Sequence, residues 1–184
     1  FLASDEPGNI IRVLFVDFAK AFDLIDHNLL MRKFIDNDFP LHLSCWSLSF
    51  LEDRKQLVKV ANVVSSTAKI CCGCPQGTLS GPNNFKLMIN DLRFLLSYIK
   101  YVDDTSVASM SKNPDDTSLQ GALNDLTAWC ALNSMRLNTA KTNEMVIYFG
   151  KKYGLSHIKS LECNDNVINR VDTFKLLGVF LIVI

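Results

Sequence analysis

Two adjacent carboxylates, Asp103 and Asp104, stand between Ser97-Tyr98-Ile99-Lys100-Tyr101-Val102 and Thr105-Ser106-Val107-Ala108-Ser109-Met110. Both flanks read as strands, so the acids fall at the tip of a strand–turn–strand. Paired negative charge at a buried strand end is costly to desolvate unless a cation or partner compensates. Two readings of the pair stand side by side. Asp is a common turn residue, and a solvated turn needs no partner. A divalent ion is the usual compensation, and Mg²⁺ takes one or two carboxylates and completes its shell with substrate phosphates.

A third acid is placed by a second element. Arg12-Val13-Leu14-Phe15-Val16-Asp17-Phe18 is a largely apolar, β-rich run without polar alternation, which predicts a strand covered on both faces over Ile11–Phe18. Asp17 at its C-terminal end either opens the next loop or, if this strand lies beside the hairpin, converges with Asp103 and Asp104. Converging acids of this kind hold two metal ions roughly 4 Å apart for in-line phosphoryl transfer.

The remaining elements alternate between α and β. Asp26 is a good N-cap for a helix through Leu29, Leu30, Lys33 and Phe34, and a second helical stretch covers Leu41–Leu51, with Trp46 and Phe50 at helical spacing. Gln56–Val64 and Thr67–Cys72 predict a hairpin joined at Ser65-Ser66. A turn rich in Gly and Pro, from Cys74 to Pro82, opens a helix carrying Phe85, Leu87, Met88, Ile89 and Leu92. Lys112-Asn113-Pro114-Asp115 reads as a connecting turn, after which Asp116 or Thr117 caps a long helix. Its stripe of Leu119, Leu123, Leu126, Trp129 and Cys130 has the spacing of a core face. Short strands near Glu144–Phe149, Ser160–Cys163 and Thr173–Leu181 complete the chain.

Composition fits one domain: 184 residues with 48% hydrophobic content suffice for a sizeable core. Lys and Arg number 19 and Asp and Glu 19, so nothing suggests a basic binding tail. The closing apolar run, Leu176–Ile184, falls short of the about 20 residues a membrane span takes and predicts a strand; no charged-then-apolar leader opens the chain. The six cysteines (Cys45, Cys71, Cys72, Cys74, Cys130, Cys163) raise a zinc reading. Cys71-Cys72-Gly73-Cys74 has no second pair at finger-like spacing, and free thiols in a reducing compartment are the alternative.

Five motifs in order carry a family resemblance. They are Phe15-Val16-Asp17-Phe18-Ala19-Lys20-Ala21-Phe22-Asp23 with Asp26-His27; Pro75-Gln76-Gly77-Thr78-Leu79-Ser80-Gly81-Pro82 with Ile89-Asn90-Asp91-Leu92; Tyr101-Val102-Asp103-Asp104; Leu137-Asn138-Thr139-Ala140-Lys141-Thr142; and Phe174-Lys175-Leu176-Leu177-Gly178-Val179. Through almost its whole length the chain resembles the palm region of a reverse transcriptase of the non-LTR, LINE-like retrotransposons. The resemblance implies an α/β (α+β) fold, a polymerase right-hand palm with partial fingers whose antiparallel sheet packs on helices. Residues 1–184 would be a fragment of that domain, with the upstream fingers, the thumb and any endonuclease absent and polymerisation by the fragment alone weak or nil. Such truncation would also account for the neutral charge, since phosphate contacts call for Lys and Arg.

The resemblance further implies an RNA-directed DNA polymerase acting on an RNA template, a DNA primer and deoxynucleoside triphosphates. Asp17, Asp103 and Asp104 would be the catalytic metal ligands for two Mg²⁺ ions, with Mn²⁺ as a substitute. Lys141 would donate a proton to, or pair with, the departing pyrophosphate; its alternative is a solvated surface lysine. Phe18, Phe22, Gln76, Gly77 and Tyr101 would bind substrate, Phe22 as a steric gate against the ribose 2′-hydroxyl. The alternatives are a core phenylalanine at Phe22 and an ordinary turn at Pro75-Gln76-Gly77. Leu177 and Gly178 would belong to a primer grip, or else to a plain core strand. No membrane is implied, oligomeric state stays open, and the nucleus is the implied site of action.

Cys74, in place of a small aliphatic residue, and Asn83, Asn84 and Lys86, where many relatives are apolar, depart from the pattern. Two other function classes stay in view: a catalytically inactive remnant or nucleic-acid-binding fragment, and a different two-metal enzyme. Against a nuclease stand Phe22 and the Pro75-Gln76-Gly77 loop. Against an RNA-templated RNA polymerase stand Phe22 and Val102, where Gly is more usual.

Overall fold

Strand β1 (Asn9–Val16) organises the chain, and its position explains its apolar run. The computed structural model describes residues 6–150 and 157–183. Helices α1 (His27–Asp36) and α2 (Leu41–Ser49) follow β1, then four two-residue strands and α3 (Ser80–Met88). Those strands are β2 (Lys55–Gln56), β3 (Lys59–Val60), β4 (Val63–Val64) and β5 (Ala68–Lys69). Next come the hairpin of β6 (Ser97–Tyr101) and β7 (Asp104–Ser111), helix α4 (Ser118–Leu132) and β8 (Asn143–Phe149). The short strands β9 (Glu162–Cys163), β10 (Asn166–Val167) and β11 (Asn169–Arg170) lead to a last hairpin, β12 (Thr173–Leu176) and β13 (Val179–Ile182). The fold is therefore mixed α and β with a mainly antiparallel sheet and, among the described residues, four helices. None of those helices is long and apolar enough to cross a membrane.

The chain groups into two compact units: Phe1–Ala19, Leu92–Ala131 and Arg136–Ile184 form the first, Lys20–Asp91 and Leu132–Met135 the second. In the first, a five-stranded sheet runs in the order β11-β8-β1-β7-β6. Both neighbours of β1 are antiparallel to it, in registers running from Ile10↔Ser111 to Val16↔Thr105 and from Asn9↔Phe149 to Phe15↔Asn143. A central strand has both edges paired, and here Ile10, Leu14, Phe15 and Val16 are all buried. Of the expected stripe helix α4 buries Leu119, Leu123, Leu126 and Cys130 and leaves Trp129 half-buried, and the Asp116 carboxylate caps its start by accepting from the Ser118 N–H at 3.1 Å.

One charged network sits inside this unit. Glu144, fully buried on β8, accepts from Arg12 Nε at 2.6 Å and from Arg170 Nε and Nη2 at 3.0 and 2.9 Å. Arg12 also donates to the carbonyls of Asp116 and Lys159, so the network ties three strands to the loop before α4. Such a buried triad tolerates the interior because its members satisfy one another.

The second unit is smaller. Asp26 caps α1 as expected, its carboxylate accepting from the N–H groups of Asn28 and Leu29 at 2.8 and 3.0 Å. Lys33, buried on α1, forms an ion pair with Asp91, and Asn90 donates to Asn37 at 2.7 Å. Helix α2 mixes apolar and polar residues around its circumference and buries only Ser44, leaving Leu41 and Trp46, and Phe50 just past its end, exposed.

Two expectations are corrected. The hairpin over residues 55–69 is nested, β2 with β5 and β3 with β4, and its tip is Ala61-Asn62 rather than Ser65-Ser66. A two-residue tip needs left-handed backbone, supplied by Ala61 at φ 51°, while Ser65 pairs across to Val58 through both its N–H and its hydroxyl. The closing apolar run is likewise not one strand. It turns back at Leu177-Gly178, with φ 47° and 86°, and β13 pairs with β12.

Candidate active site

The register of β1 and β7 sets the three acids. The pairing ends at Val16↔Thr105, so Asp17 and Asp104, the next residues on the two chains, come to the same end of it. Asp104 is the first residue of β7, and strand alternation puts it on the face that carries Ser106. Tyr101 pairs with Asp104 across the hairpin, leaving Val102-Asp103 as its two-residue turn. Val102 takes φ 54°, an unusual conformation for a β-branched residue that bends the chain back and puts Asp103 beside Asp104.

The electrostatics agree with that placement. Partial burial, followed by the charges of Asp103 and then Asp17, pushes the Asp104 carboxyl above its ordinary value. No described Lys, Arg or His forms an ion pair with any of the three. Among the described residues no group of three His, Cys, Asp or Glu side chains is placed to hold a metal ion. The three acids offer hard oxygens, the donor type that Mg²⁺ takes one or two at a time while drawing its other ligands from water and phosphate.

Asp17 is held by the turn that contains Lys141. Its carbonyl accepts from the Asn138 N–H at 2.8 Å, and its own N–H donates to the Thr142 hydroxyl at 3.2 Å. Thr142 is completely buried and closes the turn through its N–H to the Asn138 carbonyl at 2.8 Å. Lys141 sits exposed in this turn. Nearby on the same sheet, the Phe15 ring stacks on Phe174 of β12 at 3.9 Å and 7°, docking the hairpin whose tip is Leu177-Gly178. Phe18 is 5% exposed and meets Trp129 edge-on, so its ring packs in the core.

In the second unit Phe22, Gln76 and Gly77 come together around one cleft of about 330 Å³, with Pro75, Thr78 and Pro82. The Phe22 ring leans on Phe85 at 5.3 Å. Gly77 has φ 77° and would meet nothing with an added Cβ, so the backbone turn, rather than crowding, favours glycine there. The departures Cys74 and Asn84 are partners: the Asn84 amide donates to the buried Cys74 sulfur at 3.5 Å. The sequence reading assigned no site role to Thr142, His27 or Gly73. The first two could have been flagged as polar residues inside quoted motifs, whereas their carbonyl and amide partners carry no side-chain signature.

Asp17 thus directly follows the central strand β1, and Asp103 and Asp104 stand at the adjacent hairpin tip. The pattern of the family described as "Reverse transcriptase (RNA-dependent DNA polymerase)" matches residues 3–181, and the chain belongs to that family, in its non-LTR retrotransposon branch. The RNA-directed DNA polymerase from mobile element jockey of Drosophila melanogaster is 29% identical over 179 residues, 91% of this chain and 19% of that protein. The probable RNA-directed DNA polymerase from transposon BS, also from Drosophila melanogaster, is 30% identical over 141 residues, 70% of this chain and 16% of that protein. The chain thus spans less than a fifth of the length of these curated relatives.

Proposed function

We propose that this chain is the palm and part of the fingers of an RNA-directed DNA polymerase that extends a DNA primer on an RNA template. The observation that supports the reading is the β1–β7 register, which brings Asp17 and Asp104 to one end of the pair, where the charges of Asp103 and Asp17 bear on the Asp104 carboxyl. Asp17 and Asp103 would hold the metal ions, and Asp104 would add negative charge beside them and ligate during part of the cycle. Two Mg²⁺ ions bound there, or Mn²⁺ in their place, would supply activation of the primer 3′-hydroxyl and neutralisation of the triphosphate. Lys141 pairs with, or protonates, the departing pyrophosphate. Phe22 excludes the 2′-hydroxyl, Gln76 and Gly77 line the nucleotide, Tyr101 flanks the acids, and the Leu177-Gly178 turn grips the primer. Phosphoryl transfer of this kind rests on positioning and charge stabilisation, so no covalent nucleophile from the protein is required.

The test is Mg²⁺-dependent primer extension on an RNA template by the full-length protein that carries this segment, compared with Asp103→Asn. The parent extends and the variant does not; extension by neither, with both shown folded, would replace the reading with an inactive remnant. Phe22→Val relaxes discrimination against ribonucleotides, and unchanged sugar selectivity removes the gate. Action in the nucleus follows from the same reading, and exclusion of the tagged full-length protein from nuclei would overturn that part.

A further inference from the structure

Residues 22–27 and 72–76, both within the second unit, lie against each other as a clasp. The Cys74 N–H donates to the Phe22 carbonyl at 2.8 Å, and the Gly73 N–H to the Ile25 carbonyl at 2.7 Å. Cys72 Sγ donates to the Asp23 carbonyl at 3.2 Å, and the Gln76 amide to Asp23 Oδ1 at 3.3 Å. The Gly73 carbonyl, turned away from this pairing, lies 2.9 Å from His27 Nε2 and also accepts from Arg54 Nη2. A carbonyl oxygen only accepts, so Nε2 carries the imidazole proton.

Gly73 is confined on two counts. Its φ is 80°, and a Cβ built there would stand 2.7 Å from the Asp23 carbonyl oxygen and 2.9 Å from that residue's Cα. No side chain fits between the two segments without parting them. The clasp begins at the carbonyl of Phe22 and ends at Gln76, next to Gly77, so it fixes both walls of the cleft that these residues line. Helix α1 itself does not depend on His27, because Asp26 caps it.

We infer that His27 is a positioning residue: through the Gly73 carbonyl it holds the Pro75-Gln76-Gly77 loop at a fixed distance from Phe22, and so sets the fit of the incoming nucleotide. The inference rests on the assignment of Phe22, Gln76 and Gly77 to nucleotide binding. With His27 removed, Arg54 still holds the carbonyl, so the loop loosens while the fold persists. The loss falls on nucleotide affinity and sugar selectivity rather than on the chemical step, which belongs to Asp17, Asp103 and Asp104.

The experiment is steady-state incorporation of deoxynucleotides and ribonucleotides by the full-length polymerase, with His27→Ala, His27→Gln and Gly73→Ala beside Phe22→Val. His27→Ala should raise the deoxynucleotide KM about tenfold, the loss expected for one hydrogen bond, and lower sugar discrimination. Its kcat and its affinity for primer–template should match the parent. His27→Gln, which keeps an N–H donor, should recover most of the KM, and Gly73→Ala should show a larger defect of the same kind. An unchanged KM in His27→Ala, with Phe22→Val losing selectivity, overturns the inference and leaves the pocket assignment standing. Unchanged selectivity in Phe22→Val strikes the pocket assignment, and the inference with it. Equal losses of kcat and primer–template affinity in His27→Ala and His27→Gln would make His27 a structural residue and also overturn it.

Discussion

Replacing Thr142 by valine isolates the support of Asp17 from its charge. The two side chains have nearly the same shape, but valine cannot accept the Asp17 N–H that the Thr142 hydroxyl holds at 3.2 Å. Stranding a partly buried donor costs about 1–3 kcal/mol, and the added methyl returns up to roughly 0.8 kcal/mol. The net loss of stability is about 1–2 kcal/mol, about five- to thirtyfold in the folded-to-unfolded ratio. Asp17 keeps its carbonyl bond to Asn138, so it shifts rather than detaches. A displacement on the order of 1 Å from productive geometry lowers turnover by up to about 100-fold. Single-turnover primer extension against Mg²⁺ concentration, with a urea melt of each protein, separates the two effects. The expected pattern for Thr142→Val is a lower midpoint, a slower step and a higher Mg²⁺ requirement. Thr142→Ser, which keeps the hydroxyl, should follow the parent's Mg²⁺ curve. A Thr142→Val protein with the parent's Mg²⁺ dependence would refute the claim that this turn positions the acid.

Three further outcomes follow from other parts of the fold. Glu144→Gln leaves the buried Arg12 and the partly buried Arg170 without their counter-charge and should destabilise by about 3–5 kcal/mol in denaturant titration; a loss below about 1 kcal/mol would show that the triad is solvated. The raised Asp104 carboxyl means that the folded chain binds this proton more tightly than the unfolded one, so its stabilising contribution is present at low pH and is lost as pH rises through the native pKa. Asp104→Asn should therefore melt higher than the parent at pH 7 in chelator. The two should converge well below the ordinary aspartate pKa, and Mg²⁺ should remove the difference; a lower melting point for the variant at pH 7 would contradict the repulsion. Burial pushes the Cys130 thiol up to about 12, whereas Cys45, Cys71 and Cys72 are exposed. Alkylation at pH 8 should modify those three and reach Cys130 only on unfolding, and prompt labelling of native Cys130 would show that α4 does not bury it.

The local features were legible in the sequence because their causes are local. Asp26 caps α1 through its own neighbours, the α4 stripe repeats at helical spacing, and the hairpin lies between two strand-like runs, although its turn is Val102-Asp103 rather than Asp103-Asp104. The order of the five motifs sufficed to place the chain among reverse transcriptases. Other features required the tertiary structure. The hairpin over residues 55–69 turns at Ala61-Asn62, although Ser65-Ser66 is the more turn-like pair, because cross-strand pairing of β3 with β4 sets the register. Phe18 reads as a site residue in its motif but packs against Trp129, over a hundred positions away. The convergence of Asp17 with Asp104 depends on which strand lies beside β1, and the clasp at Gly73 depends on a backbone carbonyl that no residue type announces. Sequence by itself determined which acids and which turn residues exist and in what order, since capping, periodicity and turn chemistry act between near neighbours. Only the tertiary structure decided which of them meet, because strand partners and hydrogen bonds to distant backbone are chosen by the packing of the whole sheet.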